Sequence, residues 1–309
     1  MIIYPSCQLS NLALMKTKFF LTALLASLCV SVSHAALLFE EYFDYELSNN
    51  TNIADTDAWV GGTNNVRFQN LSGPNFTGSG YVPTHAGGVL ESGNSNSSDT
   101  RMSHAPLGTS VSGEFWVSVF VNPTGMTNAN GSVTLLNFST GTTSGTTYGG
   151  GPGFGIYNDG SNLNFALFNG LGGAGGVSTV GSAASANAWQ LLIAQVTINE
   201  NADDSISVWS FADNAAVPTT ISGLGAPVVS SSSLDWGNSI NTLGIGGQSF
   251  VTGGGKTALW DDIRVSTLSG DDGIGAVTVI PEPSTYALIF SGLALGIVVL
   301  RRRVKKTNS

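Results

Sequence analysis

The 309-residue sequence has few charged residues and almost no cysteine. Asp, Glu, Lys and Arg make up 10% of the chain. The two cysteines, Cys7 and Cys29, both lie near the N-terminus, so the rest of the chain offers no thiol for a disulfide, a metal–thiolate site or a nucleophile. Leu28 precedes Cys29 where a lipoprotein cleavage site would need a small residue, which argues against lipidation.

Positive charge is scarce away from the two ends. Of the 11 Lys and Arg residues, only Arg67, Arg101, Lys256 and Arg264 lie between residues 36 and 280. All but one of the 20 acidic residues lie in that segment. Such a segment repels nucleic acid and anionic lipid, so nucleic-acid binding is excluded as its function.

The middle of the chain also lacks sustained helical periodicity. Apolar and polar residues alternate there instead, which is the pattern of β-strands. Single apolar faces predict six strands, within residues 115–121, 163–167, 192–198, 206–208, 243–245 and 263–265. Residues 157–162 and 199–204, rich in Asn, Asp and Gly, predict hairpin turns. The 40 glycines fit many tight turns, and together these features favour one all-β sandwich or jelly roll. Residues 60–110 and 140–187 are too rich in Gly, Ser, Thr and Asn for strands to be placed.

The N-terminus contains the basic region, apolar region and cleavage site of a signal peptide, in that order. Basic Lys16 and Lys18 precede an apolar run over residues 19–32, and small residues around His34 predict cleavage after Ala35. The predicted signal peptide therefore spans residues 1–35, and Met15 is an alternative start. An uncleaved membrane anchor is the competing interpretation, although the apolar run is short.

The C-terminus has three parts in a fixed order. Pro281-Glu282-Pro283 precedes an uncharged apolar stretch over residues 286–300, and Arg301, Arg302 and Arg303 begin a basic cluster. The stretch is short for a membrane-spanning helix but reaches marginal length with the residues before it. A basic cluster stays cytoplasmic, so the preceding domain lies outside, in agreement with the signal peptide.

This tail, residues 281–306, resembles the PEP-CTERM sorting domain. The resemblance implies a short C-terminal transmembrane helix and processing near Pro281, Glu282 and Pro283 by a membrane-embedded exosortase. Two prolines around one residue favour an extended backbone, which suits a recognition element. The alternative is an ordinary single-span anchor in which Pro-Glu-Pro occurs by chance.

The predicted β-domain, residues 36–275, resembles the concanavalin-like (laminin-G-like, LamG-like) jelly rolls. The resemblance rests on residues 38–44 at the start, 189–198 with 206–209 in the middle, and 260–265 at the end. It implies that the first and last strands lie side by side.

No catalytic constellation accompanies this resemblance. Members of the fold that cleave carbohydrates use paired carboxylates on one strand face. Glu41 and Asp44 are three residues apart and fall on opposite faces, while Asp44 and Glu46 lack a third acid. His85 and His104 have no nucleophile motif beside them and poor spacing for a metal, so both are predicted to lie on the surface or in loops.

Two weaker ligand sites are suggested by residue type. Calcium is the cofactor that loop carboxylates would bind, with Asp203, Asp204, Asp261 and Asp262 as candidates; turn formation or pairing with an Arg is the alternative. Trp59 and Trp236 lie near polar loop residues and could stack on a sugar ring, whereas the other four tryptophans fit strand cores.

The sequence therefore predicts a non-enzymatic, lectin-like surface or exopolysaccharide-matrix protein. Its partners would be signal peptidase, exosortase, the membrane and an exopolysaccharide. It would be held in the inner membrane during transit and then reach the outer envelope, cell surface or extracellular matrix. The alternative is a secreted glycoside hydrolase or lyase, with Glu41, Asp44 and Glu114 as its candidate acids.

Overall fold

The structure is a computed structural model. It describes residues 37–53, 56, 58–60, 66–81, 83, 87–92, 101–126, 131–140, 152–169, 176–248 and 258–278. All of these belong to one compact unit. The predicted signal peptide with Ala35, and the tail with Pro281, Glu282, Pro283 and Arg301–303, lie outside the described residues.

The described strands form two antiparallel sheets, of which the larger has nine strands. These are β1 (Leu37–Glu41), β2 (Thr51–Asn52), β3 (Val66–Gln69), β4 (Val89–Ser92), β6 (Gly113–Asn122), β11 (Gln190–Ile198), β12 (Asp204–Ala212), β13 (Val229–Leu234) and β15 (Ala258–Ser266). Their spatial order is β13-β12-β11-β6-β15-β4-β3-β2. The first strand, β1, also pairs with the last, β15, which confirms the predicted proximity of the two.

The small sheet has six strands. These are β5 (Arg101–Val111), β7 (Val133–Ser139), β8 (Pro152–Asn158), β9 (Leu163–Asn169), β10 (Val177–Ala183) and β14 (Ile240–Gln248). Their spatial order is β10-β9-β8-β7-β14-β5. Two packed antiparallel sheets make the molecule an all-β sandwich, as the alternation of the sequence predicts.

The inner faces of the two sheets bury the apolar residues that alternation identified. All six predicted strands contribute to one core, including Phe115, Val117, Val119, Val121, Leu163, Phe165, Leu167, Leu192, Ala194, Val196, Leu243, Ile245, Ile263 and Val265. The predicted turns also form, joining β8 to β9 and β11 to β12. In the first, Asp159 Oδ1 accepts the backbone N–H groups of Ser161 and Asn162, and these bonds lower the pKa of Asp159.

A buried cluster of three hydrogen-bonded side chains connects the two sheets inside this core. The indole N–H of Trp260 on β15 lies 2.9 Å from Ser92 Oγ on β4 and 3.0 Å from Thr134 Oγ1 on β7. The two hydroxyls are 2.8 Å apart. Buried donors and acceptors that satisfy one another cost little stability and fix the alignment of the two sheets.

Part of the outer face of the large sheet, at β6 and β15, is covered by a helix that the sequence does not predict. Helix α1 (Gly270–Thr278) contains three glycines, so its intrinsic helix propensity is low. Asp271 and Asp272 in its first turn favour the helix dipole. Ile274 and Val277 pack against Trp116 and other apolar residues of the sheet, and this tertiary burial offsets the poor propensity.

An ion pair without solvent contact fastens α1 to β15. Asp262 and Arg264 are both fully buried, and Arg264 Nη1 lies 3.4 Å from the carbonyl oxygen of Val277 at the end of α1. The guanidinium also lies 4.5 Å from the ring centroid of Tyr81. Burial raises the pKa of Tyr81, with Asp262 adding to the rise, so this phenol stays protonated.

The described part of the chain contains no helix that is long and apolar enough to cross a bilayer. Helix α1 has nine residues. The predicted transmembrane helix falls within residues 281–306, outside the described residues, and stays a prediction.

Candidate binding site on the small sheet

The outer face of the small sheet, turned away from the large sheet, carries a row of polar residues and glycines. His104 on β5 pairs with Gly244 on β14, and Gly244 pairs with Asn137 on β7. Residues directly opposite one another in antiparallel strands share a face, so His104 and Asn137 flank Gly244 on the same side. We call these three residues the His104–Asn137 site.

Glycine allows the two polar side chains to approach each other. A Cβ built on Gly244 would lie 2.9 Å from His104 Cδ2, 2.9 Å from Asn137 Oδ1 and 2.8 Å from Met102 Cε. The three neighbouring side chains therefore lean into the space that any larger residue at position 244 would occupy. The side chains of His104 and Asn137 converge on one point although 33 residues separate them in the sequence.

Both polar side chains are buried and carry atoms without hydrogen-bond partners. His104 is 1% exposed and Asn137 is 2% exposed. Neither ring nitrogen of His104 nor Asn137 Oδ1 has a partner among the described residues. Unpaired buried polar atoms cost roughly 1–3 kcal/mol each, which makes this cluster unusual and marks it as a candidate ligand site.

Burial lowers the pKa of His104 because desolvation disfavours the imidazolium. The ring is therefore neutral at physiological pH, with one N–H donor and one nitrogen acceptor. Neutral His and Asn together provide donors and acceptors for hydroxyl or amide groups, and a neutral imidazole can also accept a proton.

The row reaches solvent at the edge of the sheet. Val60 forms an isolated antiparallel bridge with His104, through N–H···O contacts of 2.7 and 2.9 Å. Val60 is 43% exposed and shares the face of His104. Val60 is thus an exposed residue that directly adjoins His104 on this face.

Charge is distributed unequally between the two sheets. The six strands of the small sheet contain one charged residue, Arg101 at the start of β5. Strands of the large sheet carry seven acidic residues: Glu40, Glu41, Glu91, Glu114, Asp204, Asp261 and Asp262. The candidate site therefore lies on the sparsely charged sheet of an acidic domain.

His104 corrects one prediction of the sequence analysis. We expected a surface or loop histidine, but His104 is buried within strand β5. Its two neighbours in the site lie 33 and 140 residues further along the chain, and only strand pairing brings them to it. His85 lies outside the described residues.

The tryptophans predicted to stack on sugar are core residues. Trp59 is 1% exposed and packs against Phe39 and Phe43, while Trp236 is 5% exposed within the same core. The prediction was wrong for both because nearby polar loop residues do not reveal that the indole ring points inward. Neither ring presents a face to solvent.

Two of the carboxylates predicted to bind calcium, Asp204 and Asp262, have structural roles within the protein. Asp204 accepts the backbone N–H groups of Asn199 at 2.7 Å and Trp236 at 2.6 Å, and Asp203 is exposed beside it. Asp261 and Asp262 lie on β15, and Asp262 forms the ion pair with Arg264 that was the alternative. Within the described ranges no three His, Cys, Asp or Glu residues are grouped to hold a metal, and calcium binding stays a prediction.

Two of the three acids considered for catalysis are engaged in structural hydrogen bonds, and the third, Asp44, is exposed. Glu41 accepts hydrogen bonds from the Tyr45 hydroxyl at 2.6 Å and the Trp59 indole at 3.0 Å. Glu114 accepts from the Trp116 indole and from the backbone N–H of Gly270. These two carboxylates hold the fold at separate places and do not converge on the His104–Asn137 site.

Comparison with known proteins identifies a fold but no family. No protein-family profile and no curated protein matches the chain. The PL-14 alginate lyase from Aplysia kurodai is 9% identical, with a TM-score of 0.50 over 76% of this chain and 100% of that chain. At this identity the likeness shows the β-sandwich fold alone.

Two further structures are similar at lower scores. The endo-β-1,4-glucuronan lyase from Trichoderma reesei is 12% identical, with a TM-score of 0.39 over 75% of this chain and 96% of that chain. The CBM2 module of the evolved Dit of Lactobacillus casei BL23 phage J-1 is 8% identical, with a TM-score of 0.43 over 74% and 94%. These scores add nothing to the fold assignment.

Proposed function

We propose that the chain is an exported, envelope-sorted protein of the cell surface or exopolysaccharide matrix whose sandwich binds polysaccharide without cleaving it. The observation that carries the binding part is the His104–Asn137 site, where buried polar atoms lack partners on the outer face of the small sheet. The named activity of the Aplysia kurodai structure, an alginate lyase, supports a carbohydrate as the ligand of such a sandwich. Sequence identity is too low to transfer the activity itself.

The finer fold that we propose is a concanavalin-like jelly roll. The pairing of β1 with β15, which brings the first and last strands of the domain together, supports it.

The available side chains favour binding over cleavage. Hydrolysis needs two carboxyl groups, one on each side of the scissile bond. Two of the candidate acids, Glu41 and Glu114, are instead held by structural hydrogen bonds. Elimination needs a base and a proton donor close together. Tyr157 on β8 shares the outer face with His104 on β5. It lies three strands across the sheet and four residues along its strand, about 20 Å from His104 by strand spacing and rise, which is too far for the two side chains to act together.

A polysaccharide lyase is the second candidate, and one observation favours it. The pKa of His104 is lowered, so its neutral ring could take a proton from a sugar carbon. Product formation by the native chain, lost in His104→Ala, would select this candidate.

Export and sorting rest on the two ends of the sequence. We propose that signal peptidase cleaves after Ala35 and that an exosortase acts near Pro281, Glu282 and Pro283. Helix α1 ends at Thr278, three residues before Pro281, so the motif begins within about 10 Å of the folded sandwich. The processing enzyme would therefore work close to the folded domain.

The binding experiment uses the chain from Ala36 to Ser309, purified in mild detergent. Affinity electrophoresis through a panel of polysaccharides would compare the native chain, His104→Ala with Asn137→Ala, and the matched control Asp203→Ala, whose exposed side chain lies in the turn between β11 and β12. We expect retardation by at least one polysaccharide that the double variant loses and the control keeps. No retardation by any of them would leave only a structural role, and new reducing ends or unsaturated products would establish an enzyme.

The sorting experiment follows the full chain in cells with an exosortase. We expect loss of both ends from the mature protein and its recovery from the cell surface or matrix. Replacing Pro281, Glu282 and Pro283 by alanine should leave the chain in the inner membrane. Intact full-length chain in the cytosol would overturn the export proposal.

A further inference from the structure

We infer that the His104–Asn137 site takes the hydroxyl groups of a neutral glycan and discriminates against uronic-acid polysaccharides. This inference rests on the proposed binding function and names its ligand class. Two independent features carry it: the charge around the site and the hydrogen-bonding types of its unpartnered atoms.

The described strands around the site carry little positive charge for a carboxylate. The strands of the small sheet contain no Lys, and their one Arg, Arg101, starts β5 three residues before His104. Arg264 is fully buried with Asp262 in the large sheet. An acidic polymer that approaches this domain meets a negative overall field, which lowers its local concentration and its association rate.

The unpartnered atoms of the site are acceptors more often than donors. A neutral His104 ring presents one acceptor nitrogen and one N–H, and Asn137 Oδ1 is a second acceptor. Ionised carboxylates only accept hydrogen bonds, so they would face two acceptors without donating to either. A sugar hydroxyl both donates and accepts, and two hydroxyls would satisfy all three atoms.

The burial of the site adds a kinetic expectation. His104 and Asn137 are 1% and 2% exposed, so ligand entry requires a rearrangement of this face. The exposed Val60 at the adjoining edge is the point at which entry would start. Association should therefore be slower than the roughly 10⁵–10⁷ M⁻¹s⁻¹ of preformed protein sites.

The experiment uses one glucan in two charge states. Affinity of the Ala36–Ser309 chain is measured for a neutral glucan and for the same glucan after oxidation of its C6 hydroxymethyl groups to carboxylates, with a galactan and a mannan pair treated likewise. We expect the neutral form of at least one pair to bind ten or more times more tightly. That affinity should be insensitive to salt, whereas any residual binding of the carboxylated form should strengthen with salt as repulsion is screened.

A second readout locates the ligand. In the His85→Gln variant of this chain, His104 is the one remaining histidine, so selective isotope labelling of histidine gives one imidazole signal. We expect the neutral glucan, galactan or mannan that binds to shift this signal, and the Asn137→Ala variant to reduce its affinity at least tenfold. An unshifted signal in the presence of bound glycan would place the ligand elsewhere and overturn the site assignment.

The experiments distinguish failure of the neutral-glycan inference from failure of the binding function and of the site assignment. Tighter binding of the carboxylated forms would overturn the neutral-glycan inference and leave carbohydrate binding intact. Binding of neither form of any pair would overturn the binding function on which the inference rests. Unchanged affinity in Asn137→Ala would overturn the role of this site alone.

Discussion

The guanidinium of Arg264 meets the carboxylate of Asp262 through two contacts of 3.0 Å, from Nε to Oδ1 and from Nη2 to Oδ2, with both side chains fully buried. The two residues lie two positions apart on β15, where the backbone of Asp262 has a positive φ of 50°. Removing one member of such a pair leaves the other charge buried and uncompensated.

We therefore expect Arg264→Met to lower the free energy of unfolding by about 3–5 kcal/mol. The double variant Asp262→Asn with Arg264→Met should recover part of this loss, since Asn tolerates positive φ and leaves no charge. Urea unfolding of the Ala36–Ser309 chain measures both. Arg67→Met, at a half-buried arginine of the same sheet, is the control, and an equal loss there would contradict the prediction.

Gly244 is expected to be intolerant of a side chain. Gly244→Ala puts a methyl group 2.8–2.9 Å from Met102, Asn137 and His104, so the three side chains must move. Overpacking of this kind costs about 1–3 kcal/mol and should also weaken glycan binding. Gly275→Ala is the matched control because nothing lies within 4 Å of its new Cβ, and its helical position predicts a gain of about 0.5–1 kcal/mol. Thermal unfolding that ranked the two variants in the opposite order would rule this out.

His104 should make stability depend on pH in the acidic range. Its pKa in the folded state is lowered by burial, whereas the unfolded chain has a pKa near 6.5. The unfolded state then binds more protons as pH falls below about 6.5, so folding loses stability there and the penalty vanishes at higher pH.

Replacing this histidine by glutamine removes the titrating group. The melting temperature of His104→Gln minus that of the native chain should rise as pH falls from about 7.5 to about 5. His85→Gln tests whether any histidine gives the same trend. A difference that stays constant over this range would show that His104 does not titrate as its burial requires.

Asp203 and Asp204 separate a structural role from a calcium site. Asp204 receives two backbone N–H groups while fully buried, so Asp204→Ala should cost about 3 kcal/mol. The exposed Asp203→Ala should change stability by about 0.5 kcal/mol or less. Melting with calcium and with chelator completes the test: a calcium-dependent rise lost in both variants would instead support a shared calcium site.

Much of the fold could be predicted from local sequence because its signals are local. Alternation in residues such as Phe115, Val117 and Val119 requires one buried face, and the turn residues around Asp159 require a reversal, whatever the rest of the chain does. The missed helix α1 shows the limit. Its glycines argue against a helix, and only the apolar surface of the large sheet stabilises it.

The candidate site could not be predicted in the same way. His104 and Asn137 are ordinary polar residues in apolar strands, and Gly244 is one of 40 glycines. The burial of Trp59 could not be predicted either, because polar neighbours in the sequence do not determine which way an indole ring points.

The sequence by itself determined the all-β class, the predicted strand faces, the acidic charge of the domain and the export and sorting signals proposed for its two ends. These depend on composition and on spacings of a few residues. Tertiary structure decided which side chains meet, because strand register joins positions 104, 137 and 244 across separations of up to 140 residues. It also decided which polar atoms are buried without partners, since burial depends on how all the surrounding segments pack.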